Sequence, residues 1–154
     1  MKKENIALLL GYLRSQKEVI NKILLEIKEK LPYNKENTVY LGYLFHNFYC
    51  AFEDLFQEIA KTFENRIEDP SRYHRELLKR MHIEVPGIRP FLLSEESYRI
   101  MDELRGFRHI FRHSYDYELS PKKIEDLKEL LLKRWEIIDK DLTIFGEFLE
   151  KALF

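Results

Sequence analysis

Residues 41–63 read LGYLFHNFYCAFEDLFQEIAKTF, and this stretch decides the fold. Its apolar residues recur at intervals of three and four, a spacing that places side chains on one side of an α-helix. They are Leu41, Leu44, Phe45, Phe48, Phe52, Leu55, Phe56, Ile59 and Phe63. Further apolar bulk lies on the other sides of the same helix, in Tyr40, Tyr43, Tyr49 and Cys50. We therefore expect a helix whose first half packs on two faces.

Helical spacing continues on both sides of this stretch. An amphipathic run begins near Ile6 and ends at Pro32. A short helix is expected within SRYHRELLKRM, residues 71–81, and Ser94 and Ser120 each stand where a helix N-cap is expected. The sequence has no alternating strand pattern and no glycine-rich phosphate loop. We predict an all-α, up-and-down bundle of four long helices plus one short helix.

The composition limits the classes of function. The 154 residues suit a single domain, residues 1–154, and 26 Lys and Arg nearly balance 27 Asp and Glu. Any contact with nucleic acid must therefore be a local patch. Cys50 is the lone cysteine, which excludes an internal disulfide, and we interpret it as a small buried hydrophobe. The apolar start is too short and interrupted for a signal peptide or membrane span, so we expect a soluble cytoplasmic protein.

The sequence RGFRHIFRHSYDY, residues 105–117, concentrates basic and aromatic side chains. On a helix that turns about 100 degrees per residue, one side is apolar: Ile100, Leu104, Phe107 and Phe111. Another arc holds Arg105, Arg108, Arg112 and Tyr115, and a neighbouring arc holds His109 and His113. Arg108 and His113 lie about 140 degrees apart by this arithmetic, so they cannot meet on one ideal helix. Either the helix ends or distorts near Ser114, or a second copy of the chain brings its own Arg and His alongside.

Three interpretations of this cluster remain open from the residues alone. The first is a solvated basic face whose charge is balanced by acidic neighbours such as Asp102. The second is a site that binds phosphate through Arg and transfers protons through His, which fits metal-independent RNA strand scission. The third is a metal site in which His109 and His113, four residues apart, are joined by Asp102. The flanking arginines would oppose a divalent cation, so we expect no metal and no other cofactor.

The segment RHIFRHSY, residues 108–115, resembles the RxxxxHxY motif of the HEPN superfamily, and most closely the HepT-like toxins of HEPN/MNT toxin-antitoxin systems. Further stretches are similar to that subgroup in the same order: GYLFHNFYCAFEDLF, SRYHRELLKRM and FRHIFRHSYDYEL. The similarity covers most of the chain from about residue 40 onward. It implies a HEPN-like homodimer in which two copies of Arg108 and His113 compose one ribonuclease site.

The resemblance also implies individual roles. Arg108 would hold the scissile phosphate or position the 2′-hydroxyl, and His113 would be the general acid or base. An MNT-type nucleotidyltransferase antitoxin would neutralise the toxin by adding AMP groups to Tyr115. RNA would be the substrate. The rival interpretation is a non-catalytic helical module that binds its nucleotidyltransferase partner through the same Arg and His cluster.

Other polar residues receive lesser roles. We expect Arg105, His109 and Arg112 to be secondary contacts to RNA phosphate, because most protein contacts to a nucleic acid go to its backbone. His46 and Asn47 are possible residues of the cleft. Two further expectations concern packing: Glu53 is expected to pair with His46, and His74 is expected to be structural.

Overall fold

The computed structural model describes residues 2–32, 34–64, 73–113 and 119–154. These residues form five helices and no strand: α1 (Lys3–Glu29), α2 (Lys35–Phe63), α3 (Tyr73–Met81), α4 (Glu95–Arg112) and α5 (Pro121–Leu153). The predicted all-α bundle of four long helices plus a short one is confirmed. Among the described helices, none is both long and apolar enough to cross a membrane.

Helix α2 is the centre of the bundle, because it packs against each of the other four helices. Its apolar stripe is buried, with only Phe63 at its end partly exposed. Tyr49, which lies on another side of the helix, is also completely buried. The expectation that the first half of this helix packs on two faces is confirmed at Tyr49, whereas Tyr40 and Tyr43, on which the expectation also rested, are exposed. Each fully buried aromatic side chain contributes roughly 1.5–3 kcal/mol to folding, so α2 supplies a large share of the core.

Polar caps set where the helices begin. Asn34 caps α2 by accepting a hydrogen bond from the backbone N–H of Asn37 at 2.8 Å. Ser94 begins α4, and both its backbone N–H and its hydroxyl donate to the carboxylate of Asp141, at 2.9 and 2.7 Å. Asp141 belongs to α5 and is buried. The first turn of α4 is therefore fixed to α5 by a carboxylate, which also suits the positive end of the α4 dipole.

The connection between α3 and α4 is ordered around Arg89. This side chain is fully buried, and it donates hydrogen bonds to the carboxylate of Glu64 and to the carbonyls of Arg80, Ile83 and Pro90. One cation therefore holds the end of α2, the end of α3 and the connecting turn together. The residues between α3 and α4 form turns and contain no helix.

Candidate functional site

The last two turns of α4 pack against α2 through aromatic rings. Phe107 lies edge-on to Phe45 of α2, with ring centroids 5.9 Å apart, and stacks on Phe111 at 6.0 Å. Phe111 reaches Gly42 of α2, where an added Cβ would lie only 3.0 Å from its ring and 2.8 Å from Leu119. A larger residue at position 42 would require the side chains of Leu119 and Phe111 to shift. This packing fixes the C-terminal end of α4 on α2.

Arg108 lies on the flank of α4 that faces α2. Its side chain is half-buried, and its Nε is buried without a hydrogen-bond partner among the described residues. Arg112, one turn further, is exposed. Arg105 is held by Asp102, which accepts from its Nε at 3.0 Å and lies 2.8 Å from its Nη2. The three arginines therefore lie in different surroundings. Arg105 is paired with a carboxylate on its own helix, Arg108 faces a neighbouring helix, and Arg112 is exposed to solvent.

His113 stands at the point where α4 ends. The helix ends at Arg112, and His113 has non-helical backbone angles of φ −113° and ψ 17°. Its ring lies 4.7 Å from that of His109, and both residues are exposed. The helix therefore ends before Ser114. This is one of the two alternatives given above for how an arginine and a histidine of the motif could come together, the other being a second copy of the chain. Arg108 and His113 nevertheless face different surroundings, since Arg108 lies against α2 and His113 lies against His109.

Asp102, the third ligand of the metal site considered from the sequence, is paired with an arginine. The two imidazoles of His109 and His113 are neighbours, but the carboxylate of Asp102 is bound by Arg105. Within the described ranges, no three His, Cys, Asp or Glu side chains converge in a way that could hold a metal ion.

Helix α2 contributes His46 to the surface that faces α4. The imidazole is half-buried, its centroid is 5.5 Å from the ring of Phe111, and its Nε2 lies 3.7 Å from the sulfur of Cys50. Its Nδ1 is buried, and none of the described residues forms a hydrogen bond with it. Burial lowers the pKa of His46, and the positive charges of Arg108 and Arg112 lower it further, so the ring is neutral at neutral pH. His46 therefore borders the motif arginine as a neutral imidazole.

Tyr49 lies one turn further along α2 and is completely buried. Its hydroxyl has no hydrogen-bond partner among the described residues. Burial is the main reason that the pKa of Tyr49 is strongly raised, and the carboxylate of Glu53 raises it further, while Arg105 and Arg108 act in the opposite direction. The hydroxyl is therefore protonated and can both donate and accept a hydrogen bond.

Glu53 pairs with a different histidine from the one expected. Its carboxylate is buried and lies 2.8 and 2.9 Å from Nδ1 of His74, at the start of α3. The expectation that Glu53 pairs with His46 is wrong, because two helical turns separate those residues on α2, whereas α3 packs directly across Glu53. His74, whose side chain is 41% exposed, joins α3 to α2.

Two predicted site residues remain, Asn47 and Tyr115, and a groove lies beside the motif. Asn47 is half-buried beside His46 on α2. Tyr115, the predicted site of modification, lies outside the described residues. A groove of about 640 Å³ runs between α4 and α5 beside the motif, and its lining includes Arg105, Phe107, Ile110 and Lys123.

Tyr49 is the residue of this region that sequence reasoning missed, because the stripe pattern classed it as apolar bulk. The available signal was its position three residues after His46 and four before Glu53, which puts three polar groups along one flank of α2.

A comparison with known protein families identifies the family of this chain. The family described as HepT-like protein matches residues 40–149, which is more than two thirds of the chain and includes most of α2, all of α3 and α4, and most of α5. The chain belongs to the HepT-like proteins of the HEPN superfamily. No curated protein and no solved structure matches it.

Proposed function

We propose that the chain, as one domain over residues 1–154, is a cytoplasmic, metal-independent endoribonuclease toxin. The observation that carries this proposal is the motif RxxxxHxY in a HepT-like chain, beginning on the final turns of α4. Arg108 is half-buried, its charge lowers the pKa of His46 on α2, and His113 is exposed at the helix end. A fixed cation and an accessible proton-transfer group are the two components that RNA scission by this route requires.

The chemistry follows from those two groups. A general base removes the proton from the ribose 2′-hydroxyl, and the oxygen attacks the adjacent phosphorus while the bond to the 5′-oxygen breaks. The products are a 2′,3′-cyclic phosphate and a 5′-hydroxyl, the leaving oxygen having taken a proton from a general acid. Arg108 stabilises the charge on the non-bridging oxygens through its forked donors, and His113 serves as general acid or base.

The site is proposed to need two copies of the chain. Arg108 lies on the α2 side of α4, whereas His113 lies against His109 at the exposed end of the helix. A homodimer in which the ends of the two α4 helices meet would bring Arg108 of one copy beside the second copy's motif. Exposed Arg112 and His109 would then supply further phosphate contacts, since both lie in the last turn of α4.

Regulation is proposed to occur through an MNT-type nucleotidyltransferase antitoxin that adds AMP to Tyr115. The added phosphate would compete with RNA phosphate for Arg108 and Arg112, which precede Tyr115 by seven and three residues in the sequence. Co-expression with the antitoxin should raise the mass of the chain by whole AMP groups, and Tyr115→Phe should remove that increase. An unchanged mass for the wild-type chain would contradict this regulation.

The proposal is tested by expressing the chain without its partner and following cell growth and total RNA integrity. The wild-type chain should arrest growth and cleave RNA, and His113→Ala and Arg108→Ala should each reduce cleavage by about a hundredfold or more. Arg14→Ala, which changes an exposed arginine of α1, is the matched control and should behave as the wild type. Normal growth and intact RNA with an unmodified wild-type dimer would favour the non-catalytic module that binds its nucleotidyltransferase partner.

A further inference from the structure

The first turns of α2 carry exposed apolar side chains beside the buried stripe of that helix. Val39, Tyr40 and Tyr43 are exposed, whereas Leu41 and Leu44 are buried. Tyr43 stands four residues after Val39 and three after Tyr40, so these three side chains form one strip along the helix. Exposed apolar side chains that lie together mark a binding surface more often than scattered ones do. We therefore expect this strip to contact a ligand.

The strip borders an open recess of about 600 Å³ that reaches from the start of α2 to the end of α4. The recess is lined by Lys35, Glu36, Val39, Tyr40, Tyr43 and Phe111. Phe111 lies within the motif on α4, three residues after Arg108 and directly before Arg112. Residues three apart on a helix have Cβ atoms about 5–6 Å apart. The recess is therefore continuous with the proposed cleavage site.

The two tyrosine rings of the recess are arranged so that a flat ligand can stack on one of them. Tyr40 is held from α1, because its hydroxyl donates to Glu26 at 2.9 Å and the ammonium of Lys30 lies 5.5 Å from its ring centroid. The ring of Tyr43 lies 6.2 Å from that of Tyr40, with 37° between the two planes. At this separation the two rings already contact each other, so a flat ligand would stack outside the pair. Tyr43, which is 49% exposed, offers that outer face.

The chemistry of the recess fits an unpaired nucleobase. Aromatic side chains stack on unpaired bases, and polar groups nearby can bind the edges of the base. Lys35 supplies a donor of hydrogen bonds and the carboxylate of Glu36 supplies acceptors. A phosphate fits less well, because Glu36 would repel it. A nucleotide whose base lay in the recess would have its phosphate close to Arg108 and Arg112, the neighbours of Phe111 on α4.

We propose that Tyr43, with Tyr40 and Phe111 beside it, is a stacking surface for an unpaired base of single-stranded RNA next to the scissile phosphate. The inference rests on the proposed ribonuclease function for the phosphate that is cut. Stacking of the base does not require that any bond breaks, so binding and cleavage can fail separately.

The test measures binding of a short single-stranded RNA of mixed sequence in which fluorine replaces every 2′-hydroxyl, so that the strand cannot cleave itself. Tyr43→Ala should raise the Kd at least about fivefold, as expected for the loss of one base–aromatic stack. Tyr43→Trp retains an aromatic face and should bind as the wild type does. Phe91→Ala, which removes a 45% exposed ring between α3 and α4, is the matched control and should leave the Kd unchanged.

A second strand separates stacking from a general effect on RNA binding. It has the same sugar–phosphate backbone but no bases, and Tyr43→Ala should bind it as well as the wild type does, because only phosphate contacts remain. If this pattern holds and ordinary RNA is not cleaved, the proposed ribonuclease function fails and the base site stands.

Four results would overturn the base site. The first is equal binding of the RNA with bases by Tyr43→Ala and Phe91→Ala, and cleavage of ordinary RNA would still be measured independently. The second is an equal loss of affinity for both strands in Tyr43→Ala. The third is no binding of the RNA by the wild-type chain. The fourth is a fall in the oligomeric mass of Tyr43→Ala in sedimentation, which would assign this surface to contact between copies of the chain.

Discussion

Replacing Arg89 by methionine should strongly destabilise the bundle. The guanidinium has no exposed surface, and it donates to the carboxylate of Glu64 and to three backbone carbonyls. Methionine fills much of the volume but donates nothing, so the Glu64 carboxylate, which is only 14% exposed, loses its cation. Removing one partner of a buried ion pair typically costs about 3–5 kcal/mol, because the other charge stays buried and unpaired.

The assay is reversible urea unfolding followed by circular dichroism, supported by thermal unfolding. For a chain of this size, each kcal/mol shifts the midpoint by about 2–4 °C, so the expected fall is about 6–20 °C. Arg14→Met is the matched control, since Arg14 is 64% exposed and its pair with Glu150 should be worth less than about 1 kcal/mol. A second change, Glu64→Gln, should recover part of the loss in the Arg89→Met background, because it removes the unpaired charge.

The reasoning would be refuted if Arg89→Met cost no more than Arg14→Met. Such a result would mean that the connection between α3 and α4 does not depend on its buried cation.

Three further predictions concern helix ends and pH. Asp141→Asn should cost about 1–3 kcal/mol in urea unfolding, because Asp141 accepts two bonds from Ser94 at the start of α4; no loss would contradict this cap. Lys128→Met should speed amide exchange at the end of α1, whose last carbonyls accept from the buried ammonium; unchanged exchange there would exclude the role. The pKa of His46 is lowered in the folded chain, so the unfolded chain binds the proton first and stability falls as pH drops through about 6.5. His46→Asn should reduce that fall, and an identical pH profile for the variant would refute the assignment.

Much of the bundle could be predicted because its signals are local. Pro32 ends the first apolar run, and Ser94 and Ser120 stand at the N-caps of α4 and α5 in the structure. Apolar spacing alone placed the long helices and the central stripe of α2. These features depend on residues within a few positions of one another, which is the range over which helical periodicity carries information.

The candidate site could be predicted only in part, because its contacts join residues that are far apart in the sequence. The motif residues Arg108 and His113 lie close together in the chain, and the separation between them on a helix follows from arithmetic. The partners of those residues come from other helices, and no periodicity says which turn of α2 faces which turn of α4. The expected pairing of Glu53 with His46 was wrong because α3 places His74 within hydrogen-bond distance of Glu53. Tyr49 was missed because a tyrosine among apolar residues on the side of a buried helix resembles core.

The central claim is that Arg108 and His113 form a ribonuclease site that uses the substrate's own 2′-hydroxyl. The most direct measurement incubates the purified, unmodified wild-type chain, with a metal chelator present, with an oligoribonucleotide that it cleaves and with the same oligonucleotide carrying 2′-deoxyribose at the cleaved position. We expect the ribose substrate to yield a 2′,3′-cyclic phosphate and a 5′-hydroxyl, the deoxy substrate to stay intact, and His113→Ala to cleave neither. Cleavage of the deoxy substrate, or full activity in His113→Ala, would contradict the account.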